Sequence, residues 1–456
     1  MTSPANTRLP ISDDVEAVLP AAISRAHDWL KSTADEEDKA TEQLADLLRD
    51  DDGVKFTMDF VDRVMRPEDD KVAAHALKDI SSHYDPSFLG SINGALVGAG
   101  GFFGPILPNL VMPVARLYMR KMVGHLVLDA ESDALNKILD KAAESGEQLN
   151  LNLLGEAVLG EEEAKSRAQR TLKLIQNPRV TYVSVKASSM VAQLNHWDID
   201  GSVERLKERL RPLYLAAANR TDKVFINMDM EEYHDLHLTI RLFKELLSEP
   251  EFLTLDAGIV LQAYLPDTFD ALKDVADFAK ERVAKGGGKV KVRIVKGANL
   301  SMETVQGEVH DWPLATYTNK LDVDANYYRL LDFILREEYA DSVRIGVATH
   351  NLYTAAMAYE LGKKRGVLHM MDSEMLQGMS PAQQAAVRKV FDGRQILYTP
   401  VVHADDFDVA VSYLVRRLEE NSAPQNFLYA LFAPGEEPLA DQEETFRRAV
   451  AKRWDT

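Results

Sequence analysis

The sequence predicts an α/β fold: a distorted (β/α)8 barrel of TIM type preceded by an all-helical N-terminal arm. Three observations lead there. Eight short apolar or β-branched runs recur after about residue 149, with longer amphipathic segments between them. Alternation of this kind signals parallel strands joined by crossover helices. The alternating region, 149–421, has the length such a barrel needs, about 250 residues. Residues 1–148 instead repeat apolar positions at helical spacing and show no such alternation. An open doubly wound sheet is the alternative reading of the same alternation.

The arm comes first. From Asp13 to Leu48 apolar residues recur at three- and four-residue steps among charges, and Phe56, Phe60, Val61 and Val64 share one helix face. A further helix is predicted from about Pro113 to Ala130, carrying Leu117, Met122, Val123, Leu126 and Val127. Between Ser87 and Ala115 there is no charged side chain. That is longer than the ~20 residues a bilayer span requires. Yet Gly90, Gly94, Gly98, Gly100, Gly101 and Gly104, with Pro105, Pro108 and Pro113, would break a helix into pieces. The segment reads as a buried connector or a substrate shield rather than a span.

The strand runs begin at Leu149, Arg179, Lys223, Gly258, Lys289, Val343, Val367 and Gln395, and place the barrel at 149–435. Residues 202–218, 268–285 and 353–366 are helical candidates between them, and 436–456 reads as a C-terminal tail. Gly286, Gly287 and Gly288 lead into a strand, so they form a turn; a phosphate-binding loop needs a helix behind its glycines.

Composition removes several classes. Acidic residues outnumber basic ones 72 to 53, for a net charge of −19, which disfavours a nucleic-acid surface. There is no cysteine, hence no disulfide, thiolate metal site or thiol nucleophile. The N-terminus lacks a basic start followed by an apolar run, so a cytoplasmic protein is expected.

Barrel active sites lie at the C-terminal ends of the strands. Those ends carry Glu156, Lys186, Asp229, Gln262, Arg293 with Lys296, His350, Glu374 and Tyr398. Two readings differ in class. One is a metal site using His350, His369, His403, Asp229 and Glu374. The other is an anion-and-cofactor site with Lys186, Arg293, Lys296, Arg416 and Arg417 as its cations, a conspicuous set in an acidic chain. Helical neighbours diverge by about 100°, so Arg416 and Arg417 face one ligand only if their helix lies across the site. Arg417 also has Glu420 at i+3, the spacing of an ordinary helix-surface ion pair.

The segments VSVKAS (183–188), NMDMEE (227–232), LQAYL (261–265), RIVKGA (293–298), ATHN (348–351), SEMLQGM (373–379), Tyr398 and YLVRRLEEN (413–421) stand in one order along the chain. Together, and more loosely with LVMPVAR (110–116), they resemble the proline dehydrogenase family. Within it, the likeness is to the proline dehydrogenase half of the bifunctional proline utilization A flavoenzymes. The resemblance implies non-covalent FAD and oxidation of L-proline to 1-pyrroline-5-carboxylate, by hydride transfer from proline C5 to flavin N5. It implies electrons passed to a membrane quinone, the first step of proline catabolism to glutamate. The uncharged segment 87–115 leaves room for peripheral contact at the inner face of a membrane.

By position, it assigns Met230, Gln262, Arg293, Val295, Lys296, Gly297, Ala298, Thr349, His350, Asn351, Glu420 and Phe427 to the cofactor. Lys186, Arg416 and Arg417 would hold the proline carboxylate, with Tyr398 and Leu376 walling the ring. Glu156 would pair with Arg416, and Asp229 would be the acidic group near the substrate. Asp229, Arg293 and Lys186 are the expected catalytic set, with no metal. Two departures stand out: Asn299 and Leu300 follow the glycine-alanine pair where many members have Tyr-Trp, and Glu374 stands where glutamine is common. The bifunctional relatives add an aldehyde dehydrogenase with a cysteine nucleophile; without cysteine, these residues are not expected to perform that second oxidation. A pyrroline-5-carboxylate (glutamate-semialdehyde) dehydrogenase partner or domain is implied instead. A metal-dependent barrel hydrolase or lyase, and a non-catalytic scaffold for an aldehyde dehydrogenase partner, are the alternatives.

Overall fold

All eight predicted runs form strands, because each is rich in the β-branched and apolar residues that fit a pleated surface. In the computed structural model they are Gln148–Leu153 (β2), Tyr182–Lys186 (β3), Phe225–Asp229 (β4), Ala257–Gln262 (β5), Val290–Val295 (β6), Val343–Ala348 (β7), Met371–Leu376 (β8) and Gln395–Val402 (β9). A ninth, two-residue strand, Leu128–Asp129 (β1), precedes them. The structure describes residues 13–33, 51–67, 69–84, 101–102, 104–123, 127–130, 132–155, 158, 160–403, 410, 413, 417, 420–433 and 435–455. Glu156, Arg416 and residues 87–100 lie outside the described residues. The succession of parallel strands and helices is that of a (β/α)8 barrel of TIM type.

The chain divides into two compact units: Met1–Lys31, Leu194–Glu374 and Glu443–Thr456 form one, and Ser32–Gln193 with Met375–Gln442 the other. In the first, β4 to β8 pair in parallel in chain order. The register sets Arg293 of β6 beside Val260 of β5 and Gly346 of β7, and Gly346 in turn beside Asp372 of β8. Because side chains alternate, each strand buries two sets. On β6, Val290, Val292 and Ile294 are apolar and wholly buried, while Lys291 and Arg293 between them are buried and charged. The predicted helices are present at Ile199–Ala218, Thr268–Ala284 and Leu352–Lys364. Asp198 caps the first by accepting from Gly201 N (3.0 Å), and Asn351 the third by accepting from Tyr353 N (3.0 Å) and Thr354 N (3.2 Å).

The segment read as a tail contains a helix, Glu437–Lys452. Its end is anchored in the first unit: buried Asp332 accepts from Arg365 Nη2 (2.6 Å), Arg453 Nε (3.1 Å) and Trp454 Nε1 (3.0 Å).

In the second unit the parallel order is β1–β9–β2–β3. The predicted face Phe56, Phe60, Val61 and Val64 packs against Ala73, Ala74, Leu77, Ile80 and Met112. One expectation is corrected. The helix read as Pro113–Ala130 runs from Pro108 to Val123, and Val127 and Leu128 beyond it are buried at the start of β1. A short apolar run alone does not distinguish the last turn of a helix from a strand. Among the described residues no helix is long and apolar enough to cross a membrane.

Candidate active site

The first unit assembles its charged residues on one face of four strands. Lys291 and Arg293 sit two apart on β6, and Asp372 and Glu374 two apart on β8, so each pair shares a face. Lys291 Nζ lies 3.0 Å from Asp372 Oδ2 and 2.6 Å from Glu374 Oε1. Arg293 Nε is 2.8 Å from Glu374 Oε2, and its Nη1 is 3.8 Å from Asp229 Oδ1. Arg344 Nη2 reaches Asp372 Oδ2 at 2.7 Å, and Asn227 Nδ2 donates to Asp229 Oδ1 at 2.8 Å. The result is an alternating string, Arg344–Asp372–Lys291–Glu374–Arg293–Asp229, of three cations and three anions. Burial would raise the Asp372 carboxyl, but Lys291 and Arg344 hold it below the ordinary range. Gly346 makes the string possible: a Cβ there would lie 2.1 Å from Glu374 Oε1.

At the strand ends, Gln262 Nε2 donates to Glu231 O (3.0 Å), as does Asn299 Nδ2 (2.9 Å), pinning the turn that holds Met230. Gln262 Oε1 is buried without a hydrogen-bond partner among the described residues. The β5–β6 ladder continues past the strands, with Ala263 N donating to Val295 O (2.8 Å) and Tyr264 N to Lys296 O (2.7 Å). Lys296 Nζ lies 2.5 Å from Asp324 Oδ1. Burial pulls the Lys296 ammonium down to about 8, with Asp324 opposing the shift. Ala298 beyond it is exposed. At the end of β7, Thr349 N donates to Glu374 O (3.1 Å), and Thr349 Oγ1 accepts from Asn351 N (3.0 Å). His350 between them is half-buried.

Gly297 brings bare backbone to this corner with φ +127°, where a Cβ would lie 2.4 Å from Cγ of the buried Tyr264 ring. Gly297→Ala is therefore expected to cost about 1–3 kcal/mol, as strain in a backbone region open essentially to glycine alone. A urea unfolding midpoint checks it, and an unchanged midpoint would show that the loop relaxes freely.

The second unit carries the remaining candidates. Lys186 is half-buried at the end of β3. Tyr398 is buried on β9, and its hydroxyl accepts from Asn152 Nδ2 of β2 at 2.5 Å. Leu376, at the end of β8, packs with Tyr413 against Leu154, Met379, Val402 and Leu428. Arg417 pairs with Glu420 (Nη1–Oε2 2.5 Å), and its guanidinium lies 5.2 Å from the Tyr413 ring centre. Phe427 is buried in the first turn of the helix Phe427–Phe432, which Asn426 caps.

The metal set is not assembled. Asp229 and Glu374 are committed to Arg293, and the group of ligating atoms that does converge among the described residues is His196, His234 and Asp235, none of them in the proposed set. Sequence reasoning missed Lys291, Arg344, Asp372, Asn150 and Asn152. The available signal was their spacing of two residues from Arg293, Gly346, Glu374 and each other. Asn150 is wholly buried, its amide atoms without hydrogen-bond partners among the described residues.

The proline dehydrogenase family model matches residues 134–430. The proline utilization A structure from Corynebacterium freiburgense is 48% identical, with a TM-score of 0.73 over 98% of this chain and 35% of that one. Proline utilization A from Bdellovibrio bacteriovorus, solved after inactivation by N-propargylglycine, is 26% identical, with a TM-score of 0.76 over 94% of this chain and 44% of that one. A Bradyrhizobium japonicum proline utilization A mutant, at 19% identity, TM-score 0.67, and coverage of 98% and 49%, shares the fold. The chain thus spans between about a third and a half of these proteins' length. No curated protein sequence matches it.

Proposed function

The chain belongs to the proline dehydrogenase family, and from that premise we propose that it oxidises L-proline to 1-pyrroline-5-carboxylate using FAD, with a quinone as the next acceptor. The observation that carries this reading is the buried Arg293, fixed between Asp229 and Glu374 at strand ends beside an unsatisfied Gln262 carbonyl oxygen. These residues fit a flavin: Gln262 offers a buried acceptor for a ring N–H, Gly297 a side-chain-free backbone, and Arg293 and Lys296 positive charge. Met230, Val295, Ala298, Thr349, His350 and Asn351 would also help to hold the cofactor, as would Glu420 and Phe427. Bound FAD supplies a two-electron acceptor for the hydride leaving proline C5.

The chain's own residues do the rest. Proline is a zwitterion, so Lys186 and Arg417, with Arg416, neutralise and orient its carboxylate. Tyr398, held by Asn152, and Leu376 wall the ring. Asp229 stabilises the positive charge that grows on the nitrogen as the hydride leaves, while Arg293 places positive charge where the acceptor gains negative charge. The 1-pyrroline-5-carboxylate passes to an aldehyde dehydrogenase domain or partner, and quinone reduction brings the protein to the inner face of a membrane.

Purified protein should absorb at about 450 nm and bleach on addition of L-proline without oxygen. A colourless protein that FAD does not reconstitute, or one that proline leaves coloured, overturns the proposal. Lys296 adds a pH signature. Its ammonium, at about 8, loses its proton as pH rises, so FAD affinity should fall about tenfold between pH 7 and 9, or ~1.4 kcal/mol. Titration by flavin fluorescence should show this fall in the parent and a flat profile in Lys296→Met.

A further inference from the structure

We propose that Glu374 is a positioning residue that holds the Arg293 guanidinium and, through its negative charge, sets the reduction potential of the bound flavin, with Lys291 as its counter-charge. The inference rests on the reading of Arg293 as a flavin contact.

Glu374 is wholly buried in the middle of the charge string, with Lys291 Nζ at 2.6 Å from one oxygen and Arg293 Nε at 2.8 Å from the other. Arg293 has a second anion, Asp229, but at 3.8 Å and from Nη1 rather than Nε. Glu374 therefore supplies the close contact, and it does so at Nε. The glycine at 346 supports the same conclusion: the space a Cβ would fill is occupied by Glu374 Oε1. This local vacancy admits a charged carboxylate in a place where solvent cannot screen it.

An unscreened charge acts at range. Behind Arg293 the carboxylates of Glu374 and Asp372 face the cations Lys291 and Arg344, so the net charge there is zero. Glu374→Gln leaves Lys291 and Arg344 to share Asp372 alone and makes the region more positive by one charge. A more positive surrounding favours the electron-rich reduced flavin, so the potential should rise. Lys291→Met together with Glu374→Gln restores neutrality and should bring it back.

The experiment is dye-coupled potentiometry on the FAD-loaded protein, with FAD content measured first. Glu374→Gln is expected to favour the reduced form at least tenfold, about 30 mV for a two-electron couple, and the double variant to return most of the way. A fully loaded Glu374→Gln protein with the parent potential overturns the inference while the flavin reading stands. Failure of the parent to bind FAD overturns the flavin reading instead. A purely structural role for Glu374 would give shifts in the double variant that add rather than cancel, which also overturns it. Should Glu374→Gln not fold, Glu374→Asp withdraws the carboxylate by one methylene from Arg293. It should shift the potential in the same direction, and an unchanged value counts against the proposal.

Discussion

Lys291→Met is expected to lower the unfolding free energy by about 3–5 kcal/mol, because it leaves buried carboxylate charge without its counter-ion. Lys291 and the two carboxylates it joins are almost wholly withdrawn from solvent: their side chains are 1% exposed for Lys291, 5% for Asp372 and 0% for Glu374. After the substitution Asp372 keeps Arg344 and Glu374 keeps Arg293, but three anions then face two cations. The methionine chain fills most of the volume of the lysine stem, so a cavity adds little and the loss is electrostatic. Two further measurements separate this from a packing defect. The double variant Lys291→Met/Glu374→Gln should lose much less than the sum of its single changes, since each removes the charge the other leaves unbalanced. In the single variant, moreover, Asp372 loses the Lys291 charge that helps hold its carboxyl below the ordinary range. A carboxyl with its folded pKa depressed stabilises the fold above its unfolded pKa and loses that contribution as pH falls, so the part Lys291 supplies to the parent disappears in acid. The deficit relative to the parent should therefore shrink at acid pH. A deficit independent of pH, with additive double-variant behaviour, would mean the string is not electrostatically coupled.

That string also marks the limit of what the sequence displays. The strands were legible because their apolar and β-branched runs are long enough to compete with the helical alternative, and the end of each run points to the side chains a barrel presents. Arg293, Glu374 and Asp229 were found in this way. Lys291 and Asp372 were not, although they lie two residues upstream on the same faces. A charge within a strand ordinarily reads as solvent-facing, and only the register with neighbouring strands shows that this one is matched by an opposite charge. Gly346 was silent for a related reason: its lack of a side chain matters only because Glu374 occupies the space. Arg453 and Asp332, more than a hundred residues apart in the chain, form a buried pair that no local pattern announces. The helix after Pro108 ended earlier than expected because Val127 and Leu128 suit a strand as well as a helix face, and pairing with β9 decides between them.

Arg417→Met is expected to raise the proline KM about 30-fold or more while changing kcat much less. Arg417 has two roles open to it, and they differ by an order of magnitude in energy. Its observed partner is Glu420, three residues on, at 2.5 Å, with Arg417 22% and Glu420 44% exposed. A helix-surface pair of that kind contributes about 0.2–0.5 kcal/mol, so if it were the whole role, stability would hardly change and KM not at all. A charge-assisted contact to a substrate carboxylate, closed off from water, is worth about 2–5 kcal/mol when truncated, and each 1.4 kcal/mol is tenfold in affinity. The contact to the carboxylate is the same before and during hydride loss, because the bond that breaks is at C5. Its removal therefore weakens substrate and transition state alike, which raises KM and spares kcat. Arg417→Lys should fall between parent and methionine variant, keeping the charge but losing the planar pair of donors. Stability measured alongside should move by less than about 1 kcal/mol in both. An unaltered KM in Arg417→Met would confine this arginine to the helix surface, and the proline carboxylate would then need another cation.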